Sequence, residues 1–406
     1  MSGRERELVD ASKRGDVEVV RELVRVPGID LEFASPPGYA SLQHACAGGH
    51  VEVVKVLLGA GASVTGNPEI PRAAGGGIGW TPVFLATMRG HWEVVRELVR
   101  VPGFDVNREI PFGDMRTPLF SAVKLGHWKV VRELLRVPGI AFNGVDHEGR
   151  TPLMRASEEG RWEAVRELLR MPGIDVNVAD YRGFTPLTIA CYKGHWEVAR
   201  ELVRVPGIAF NGVDDEGRTP LLRASLRRNW RVVRELLRLP GIDVNRVDSL
   251  GQTALTYASA RGFLEVVRQL LRVPGIDVDL NPGPAGGRWS GCTALWRACV
   301  NGHAKVANAL VSAGADVHAR SGGRTLVEEA CKDHGGVRSC VRSARSIAGP
   351  MLKVLLLGGL PREVAVDMVV EGLADGVHGV VAVLLRAGAH VPPPLRRSER
   401  LRQRRI

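Results

Sequence analysis

The chain has 406 residues, 45% of them hydrophobic and 24% charged. That is the balance of a folded soluble protein, at a length beyond the ~250–300 residues over which one globular core keeps growing. Aromatics make up only 5%, so small and aliphatic side chains must fill the interior. The formal net charge of +11 invites an anionic partner, but residues 392–406 hold six arginines against one glutamate, +5 of that +11.

At the N-terminus, MSGRERELVDASKRGD has no apolar stretch, so no signal peptide is expected. No apolar run reaches the ~18 residues of a membrane span; the greasiest segment, MLKVLLLGGL from Met351, contains a lysine. Residues 1–33 predict a charged first helix and read as a capping unit. From residue 34 the chain repeats itself. GHWEVVRELVRVPGFDVN from Gly90 returns as GHWKVVRELLRVPGIAFN from Gly126, GRWEAVRELLRMPGIDVN from Gly160 and GHWEVARELVRVPGIAFN from Gly194. Nine residues before each glycine stands the threonine of a Thr-Pro pair: Thr81, Thr117, Thr151 and Thr185, continued by Thr219, Thr253 and Thr293 and preceded by Arg6 and Ala40. The spacings are 34, 41, 36, 34, 34, 34, 34 and 40, a unit of 34 with insertions.

With that first position as zero, +2 is aliphatic, as in Leu119, Leu153 and Leu187, and +5 is alanine from Ala11 to Ala298. Three-residue steps put a small apolar stripe on one face of a short helix. Threonine suits the N-cap and proline the first turn, and glycine at +9 suits the left-handed residue that ends the helix. A second helix follows, with apolar positions +13, +14, +17 and +18, such as Val130, Val131, Leu134 and Leu135. It stops at Pro-Gly, as at Pro138-Gly139. The stretch from there to the next Thr-Pro reads as a hairpin-like loop. No unit buries its stripe alone, so stacked units must share a continuous core.

Two insertions, residues 66–79 and 281–291, are rich in glycine and proline and read as mobile loops. After Arg320 the pattern weakens. Residues 324–335 resemble a first helix with Ala330 at +5, a second apolar helix lies at residues 351–357, and a last unit fits from Asp367. The expected organisation is therefore a capping repeat at 1–33, repeats at 34–320, divergent repeats and a C-terminal cap at 321–391, and a disordered basic tail at 392–406.

Thr-Pro, alanine, Gly-His, paired valines, paired leucines and GxDVN, joined by DxxGxTP loops, together resemble the ankyrin repeat. The likeness covers residues 1–320 and runs more weakly to Val391. It implies an all-α ankyrin-repeat solenoid of about 11 stacked helix–turn–helix units with hairpin-like loops. Three departures stand out. The spacing is 34 against the family's usual 33, and the RVPG segment is expected to lengthen the end of the second helix. The family's histidine after TPL is replaced by Phe84, Phe120, Met154, Thr188 and Leu222. Arg228, followed by Asn229, stands where the other units have the helix-ending glycine.

Residue types that carry chemistry follow the repeat. Cys46, Cys191, Cys299 and Cys331 fall at the small +6 position, beside the alanine, and read as core. The six cysteines form no CxxC pair. His50, His91, His127, His195 and His303 recur at +10, where local hydrogen bonds at the start of the second helix are expected. One histidine per unit makes a ladder and not a metal cluster. Trp92, Trp128, Trp162, Trp196 and Trp230 at +11 could stack bases, but packing against the adjacent unit is the simpler expectation. Arginines at +15 and +19, such as Arg96 and Arg100, follow glutamates three residues earlier, which reads as a solvated, weakly helix-supporting face. There is no Gly-rich phosphate loop, HExxH or GxSxG. A repeat multiplies one residue, whereas catalysis needs different residues converging once. The chain is expected to be no enzyme, without catalytic residues, cofactor or metal.

The resemblance places partner contacts at −4, −3, −1, +7 and +8 of each unit, on the hairpin tips and first helices that line the concave face of such stacks. Here these are Trp80, Met88 and Arg89 in one unit, and Arg150, Glu158 and Glu159 in another. Tyr181, Arg182, Phe184, Tyr192 and Lys193 follow, then Arg218, Leu226 and Arg227. Aromatics and arginines dominate interface energies, which centres the expected site on the Tyr181 unit. The expected function is that of a monomeric, cytoplasmic, non-catalytic scaffold binding another protein, with the basic tail a candidate nuclear address. The alternatives are a basic nucleic-acid- or anionic-membrane-binding protein, expected to lose affinity steeply with salt, and a substrate-recruiting subunit of a ubiquitin ligase.

Overall fold

The structure, a computed structural model, describes residues 3–35, 38–65, 80–109, 117–280, 292–321, 324–325 and 377–386. Among them lie nine helix pairs. The first helices are α1 (Gly3–Arg14), α3 (Ser41–Gly48), α5 (Pro82–Arg89), α7 (Pro118–Leu125), α9 (Pro152–Glu158), α11 (Pro186–Lys193), α13 (Pro220–Leu226), α15 (Ala254–Ala260) and α17 (Ala294–Val300). Each is followed by a second helix: α2 (Val17–Leu23), α4 (Val51–Gly59), α6 (Trp92–Leu98), α8 (Trp128–Leu135), α10 (Trp162–Leu169), α12 (Trp196–Leu202), α14 (Trp230–Leu236), α16 (Leu264–Leu270) and α18 (Ala304–Ser312). A further helix, α19, runs over Val377–Arg386. Among the described residues, strands are confined to two antiparallel two-residue pairs, β1 (Ala34–Ser35) with β2 (Tyr39–Ala40) and β3 (Arg320–Ser321) with β4 (Arg324–Thr325).

The chain divides into two compact units, residues 1–190 with 197–208, and residues 191–196 with 209–406. Within the N-terminal unit, first helices pack on first helices (α1, α3, α5, α7, α9) and second on second (α2, α4, α6, α8, α10). Within the C-terminal unit the same holds for α13, α15 and α17 and for α14, α16 and α18, and α19 packs on α18. The inserted loops, the divergent segment over residues 326–376 and the basic tail lie outside the described residues.

Local chemistry explains each helix. Thr81, Thr117, Thr151, Thr219, Thr253 and Thr293 accept the N–H three residues on with their hydroxyls, capping one otherwise orphaned donor. The alanines at +5, including Ala45, Ala86, Ala122 and Ala156, are fully buried between stacked helices. Val53, Val54 and Leu57 in α4, and Val130, Val131 and Leu134 in α8, form the buried stripe of the second helices. Burying each such side chain stabilises the fold by about 1.5–3 kcal/mol. Glycine ends most first helices in the left-handed region, as at Gly90 with φ 75°. Arg228 takes the same conformation, with φ 63°, at a cost of roughly 1–2 kcal/mol for a residue with a β-carbon.

The RVPG segment does not lengthen the second helix, as its extra residue suggested. Helices that precede it, such as α6 and α12, have seven residues, against nine in α4 and α18, which lack it. Proline has no N–H to continue the ladder and disfavours helical backbone before it. The added residue goes into a Pro-Gly turn, and that turn is then put to use. Asn107 Nδ2 donates to the Gly139 carbonyl of the next unit at 2.8 Å, and Asn107 Oδ1 accepts the Ala141 N–H at 2.8 Å. Asn143 makes the same pair with Gly173 and Asp175. In the C-terminal unit Asn211 does so with Gly241 and Asp243, and Asn245 with Gly275 and Asp277. This asparagine ladder ties these hairpins to the ones that follow them.

The +10 histidines also act between units, where local bonds were expected. The Nε2 atoms of His91 and His127 lie 3.2 Å and 3.4 Å from the Ala47 and Met88 carbonyls of the preceding unit. Each ring covers the helix-ending glycine there, so close that a β-carbon on Gly49 or Gly90 would fall 2.7–2.8 Å from it. Asn229 takes over this bond to the Cys191 carbonyl at 3.0 Å.

Candidate protein-interaction surface

Four hairpins, those before Thr151, Thr185, Thr219 and Thr253, are built on an aspartate five residues before the unit's first position: Asp146, Asp180, Asp214 and Asp248. In the N-terminal unit, Asp146 Oδ1 accepts the Glu148 and Arg150 N–H groups at 2.9 Å and 3.0 Å, and Asp180 Oδ1 holds those of Arg182 and Phe184. The second carboxylate oxygen faces a guanidinium. Arg155 of α9 donates Nε to Asp146 Oδ2 at 2.7 Å and Nη2 to Glu148 Oε2 at 2.6 Å. Arg150 donates Nη1 to Glu158 Oε2 at 2.8 Å and Nε to Asp180 Oδ2 at 3.2 Å. One charged network thus joins two successive hairpins to the helix behind them.

Burial pushes Asp146 up, but the Arg150 N–H, the Arg155 guanidinium and the Glu148 N–H outweigh it and hold the carboxyl below its ordinary value. Burial likewise opposes the charge on Arg155, and Asp146 with Glu148 holds its pKa above the arginine norm. The arrangement returns in the C-terminal unit. Arg223 Nε donates to Asp214 Oδ2 at 2.6 Å, and Arg218 bonds Glu216 and, at 3.1 Å, Asp248 Oδ2. The Tyr257 hydroxyl donates to Asp248 Oδ2 at 2.5 Å. Burial, then Asp248, pushes Tyr257 up to about 12, so the phenol remains a donor.

This frame places the expected contact residues. In the N-terminal unit Tyr181 stands at its hairpin tip, 74% exposed, beside exposed Arg182. Phe184 is buried at 9% under the Arg182 guanidinium, so its ring supports the tip from within. Arg150 and Glu158 face each other in the network, and Glu159 is exposed. Trp80 packs edge-on against Phe84, Met88 is half-buried, and Arg89 is exposed. In the C-terminal unit Arg227 lies over the Tyr192 ring at 4.3 Å and donates to its hydroxyl. Lys193 is exposed, Leu226 is half-buried, and Arg218 is taken up by its network.

The second helices carry a different surface. Arginines at +19 pair with glutamates three residues earlier, as Arg136 with Glu133 and Arg170 with Glu167. Those at +15 were expected to pair with the glutamate three residues earlier; they stack on the tryptophan one turn back, Arg96 on Trp92, Arg132 on Trp128, Arg166 on Trp162 and Arg234 on Trp230, and Arg96, Arg166 and Arg234 pair with Glu97, Glu201 and Glu235. Lys129 of the next unit also covers the Trp92 ring. Cys46, Cys191 and Cys299 are buried in the core, and burial pushes their thiols up; Cys331 lies outside the described residues. Among the described residues no group of three or more His, Cys, Asp or Glu side chains could hold a metal ion, and no helix is long and apolar enough to cross a membrane.

Sequence reasoning missed the buried arginines. Their signal is DHEGRTPLMR at 146–155, matched by DDEGRTPLLR at 214–223: an aspartate before the loop and an arginine inside an otherwise apolar helix. The asparagine of each GIDVN or GIAFN segment was equally visible, without its partner.

The family profile described as "Ankyrin repeats (3 copies)" matches residues 8–110, 105–180, 178–248 and 229–321. The chain belongs to the ankyrin-repeat family. Among curated proteins it is 30% identical over 108 residues to protein phosphatase 1 regulatory subunit 27 of Mus musculus, and equally to that of Homo sapiens. The match covers 27% of this chain and 64% of those relatives' length. Among solved structures, the ankyrin repeat domain of Bcl-3, described as a unique member of the IkappaB protein family, is 30% identical. It covers 57% of this chain and 98% of its own, with a TM-score of 0.48.

Proposed function

We propose that this chain is a non-catalytic adaptor that binds another protein through the hairpin tips and first-helix ends of its repeats. The observation that carries this reading is Tyr181. A large aromatic side chain stands 74% exposed on a loop whose backbone Asp180 clamps and whose neighbour the Arg150 network holds. A rigid, exposed aromatic beside an arginine is the type of residue pair that anchors interfaces at little entropic cost. The curated relatives are named as regulatory subunits of a phosphatase. That supports a role in which the chain acts on a partner's activity or placement, the partner being unidentified.

The test is affinity capture from lysate at 150 and 500 mM salt, with the natural chain and a Tyr181→Ala, Arg182→Ala variant. The adaptor reading expects a small set of proteins that survives high salt and is lost in the variant. Capture of the same proteins by both chains refutes it. A catch of nucleic acid that vanishes at high salt replaces it with binding of an anionic polymer.

A further inference from the structure

We propose that the C-terminal unit binds an acidic segment of a partner protein, with carboxylates three residues apart, along the ends of its first helices. The proposal rests on the adaptor reading and specifies the partner's chemistry for this part of the chain. Two parallel rows of side chains carry it. At +8 stand Lys193, Arg227 and Arg261, then Asn301, all exposed. Beside them, at +7, stand Tyr192, Leu226, Ala260 and Val300. The same +8 row in the N-terminal unit is mixed, with Gly48, Arg89, Leu125 and Glu159.

Three of the nearby carboxylates are already engaged: Asp214 with Arg223, Glu216 with Arg218 and Arg223, and Asp248 with Arg218 and Tyr257; Asp215, at the hairpin tip, is exposed. Among the described residues none of Arg227, Arg228 and Arg261 forms an ion pair. Arg227 lies over the Tyr192 ring, 4.3 Å from its centroid. Arg228 is the one non-glycine residue among those described with a positive φ, 63°, where the other units use glycine. Backbone strain that persists at one unit of a repeat marks a position kept for something besides stability, and what Arg228 adds is a cation beside Arg227.

The two rows together select a protein over a nucleic acid, whose backbone has nothing to set against Leu226, Ala260 and Val300. Helices in contact lie ~8–10 Å apart, so cations at equivalent positions of α13 and α15 recur at about that step. A polyproline II chain returns to the same face every three residues, after roughly 9 Å. Carboxylates at i, i+3 and i+6 of such a segment meet Lys193, Arg227 and Arg261 in turn, and apolar residues between them lie on the +7 row.

The probe is a fluorescein-labelled nonapeptide of three Glu-Pro-Leu triplets, measured by anisotropy with the full chain at 50 and 150 mM salt. Its controls are the Gln-Pro-Leu counterpart and a 15-nucleotide oligothymidylate. The Glu peptide is expected to bind at least tenfold tighter than the Gln peptide. Arg227→Ala with Arg261→Ala weakens it about five- to tenfold, the loss of two exposed pairs. Arg228→Gly weakens it about twofold while raising the melting temperature. Equal binding of Glu and Gln peptides, or affinity unmoved by these variants, overturns the proposal. So does an oligothymidylate that binds as tightly and is lost with the same arginines. The adaptor reading fails on a different result, because the Tyr181→Ala, Arg182→Ala variant lies in the N-terminal unit and is expected to bind the Glu peptide normally.

Discussion

Replacing Arg155 by methionine removes the centre of the N-terminal unit's charged network while keeping much of its volume. Asp146 is 2% exposed, and its Oδ1 retains the Glu148 and Arg150 N–H groups, but Oδ2 loses the guanidinium 2.7 Å away. Breaking a buried pair by removing one partner costs about 3–5 kcal/mol. The two surviving backbone bonds and the exposure of Glu148 place the cost near the lower end, about 3 kcal/mol. The assay is urea unfolding followed by far-ultraviolet circular dichroism, with Asp146→Asn, Arg155→Met and the double variant closing a thermodynamic cycle. Asp146 has a lowered pKa in the folded chain. Its ionised form therefore contributes stability above the unfolded value near ~3.9, and the contribution is lost as pH falls through the lower folded value. The gap between the natural chain and Arg155→Met should accordingly narrow in acid. A cost below about 1 kcal/mol, the level of an exposed pair, with no coupling in the cycle, would refute the claim that this network holds the hairpins.

Two further substitutions probe other parts of the stack. The Thr87 hydroxyl is buried without a hydrogen-bond partner, and the next unit has Val123 at that position. Thr87→Val should raise stability by about 1 kcal/mol, read as a higher urea midpoint with an unchanged slope; a lower midpoint sinks the reasoning. Asp279 occupies the asparagine position of the ladder, and burial, then Asp316 and Asp277, pushes its pKa up against the opposing Asp316 N–H. A raised folded pKa means stability is lost as pH climbs from the unfolded value near ~3.9 through the folded one. Asp279→Asn should thus be more stable than the natural chain at pH 7 and lose that advantage at pH 3, whereas a pH-independent difference would rule the explanation out.

The repeat itself was legible in the chain, because helix caps, Pro-Gly stops and the 34-residue period are local or periodic features that need no knowledge of neighbours. Thr81 capping α5, Gly90 ending it and Ala86 buried in it all follow from offsets within one unit. The left-handed Arg228 could be located the same way, as the one arginine in a column of glycines. The candidate surface was only half visible. Its positions could be counted, yet Tyr181 and Phe184, three residues apart in one loop, differ from 74% to 9% exposed. Which of them faces out depends on how Asp180 folds the hairpin.

What the sequence by itself determined is therefore the unit: two helices, their ends and the apolar stripe that obliges them to stack. What only the tertiary structure decided is the partner of each polar side chain. Asn107 reaches Gly139, His127 reaches Met88, and Arg150 reaches Asp180, each about one repeat away. A hydrophobic stripe is non-directional and leaves its mark in the period alone, whereas a hydrogen bond needs two particular atoms about 3 Å apart, and stacking is what brings those atoms together.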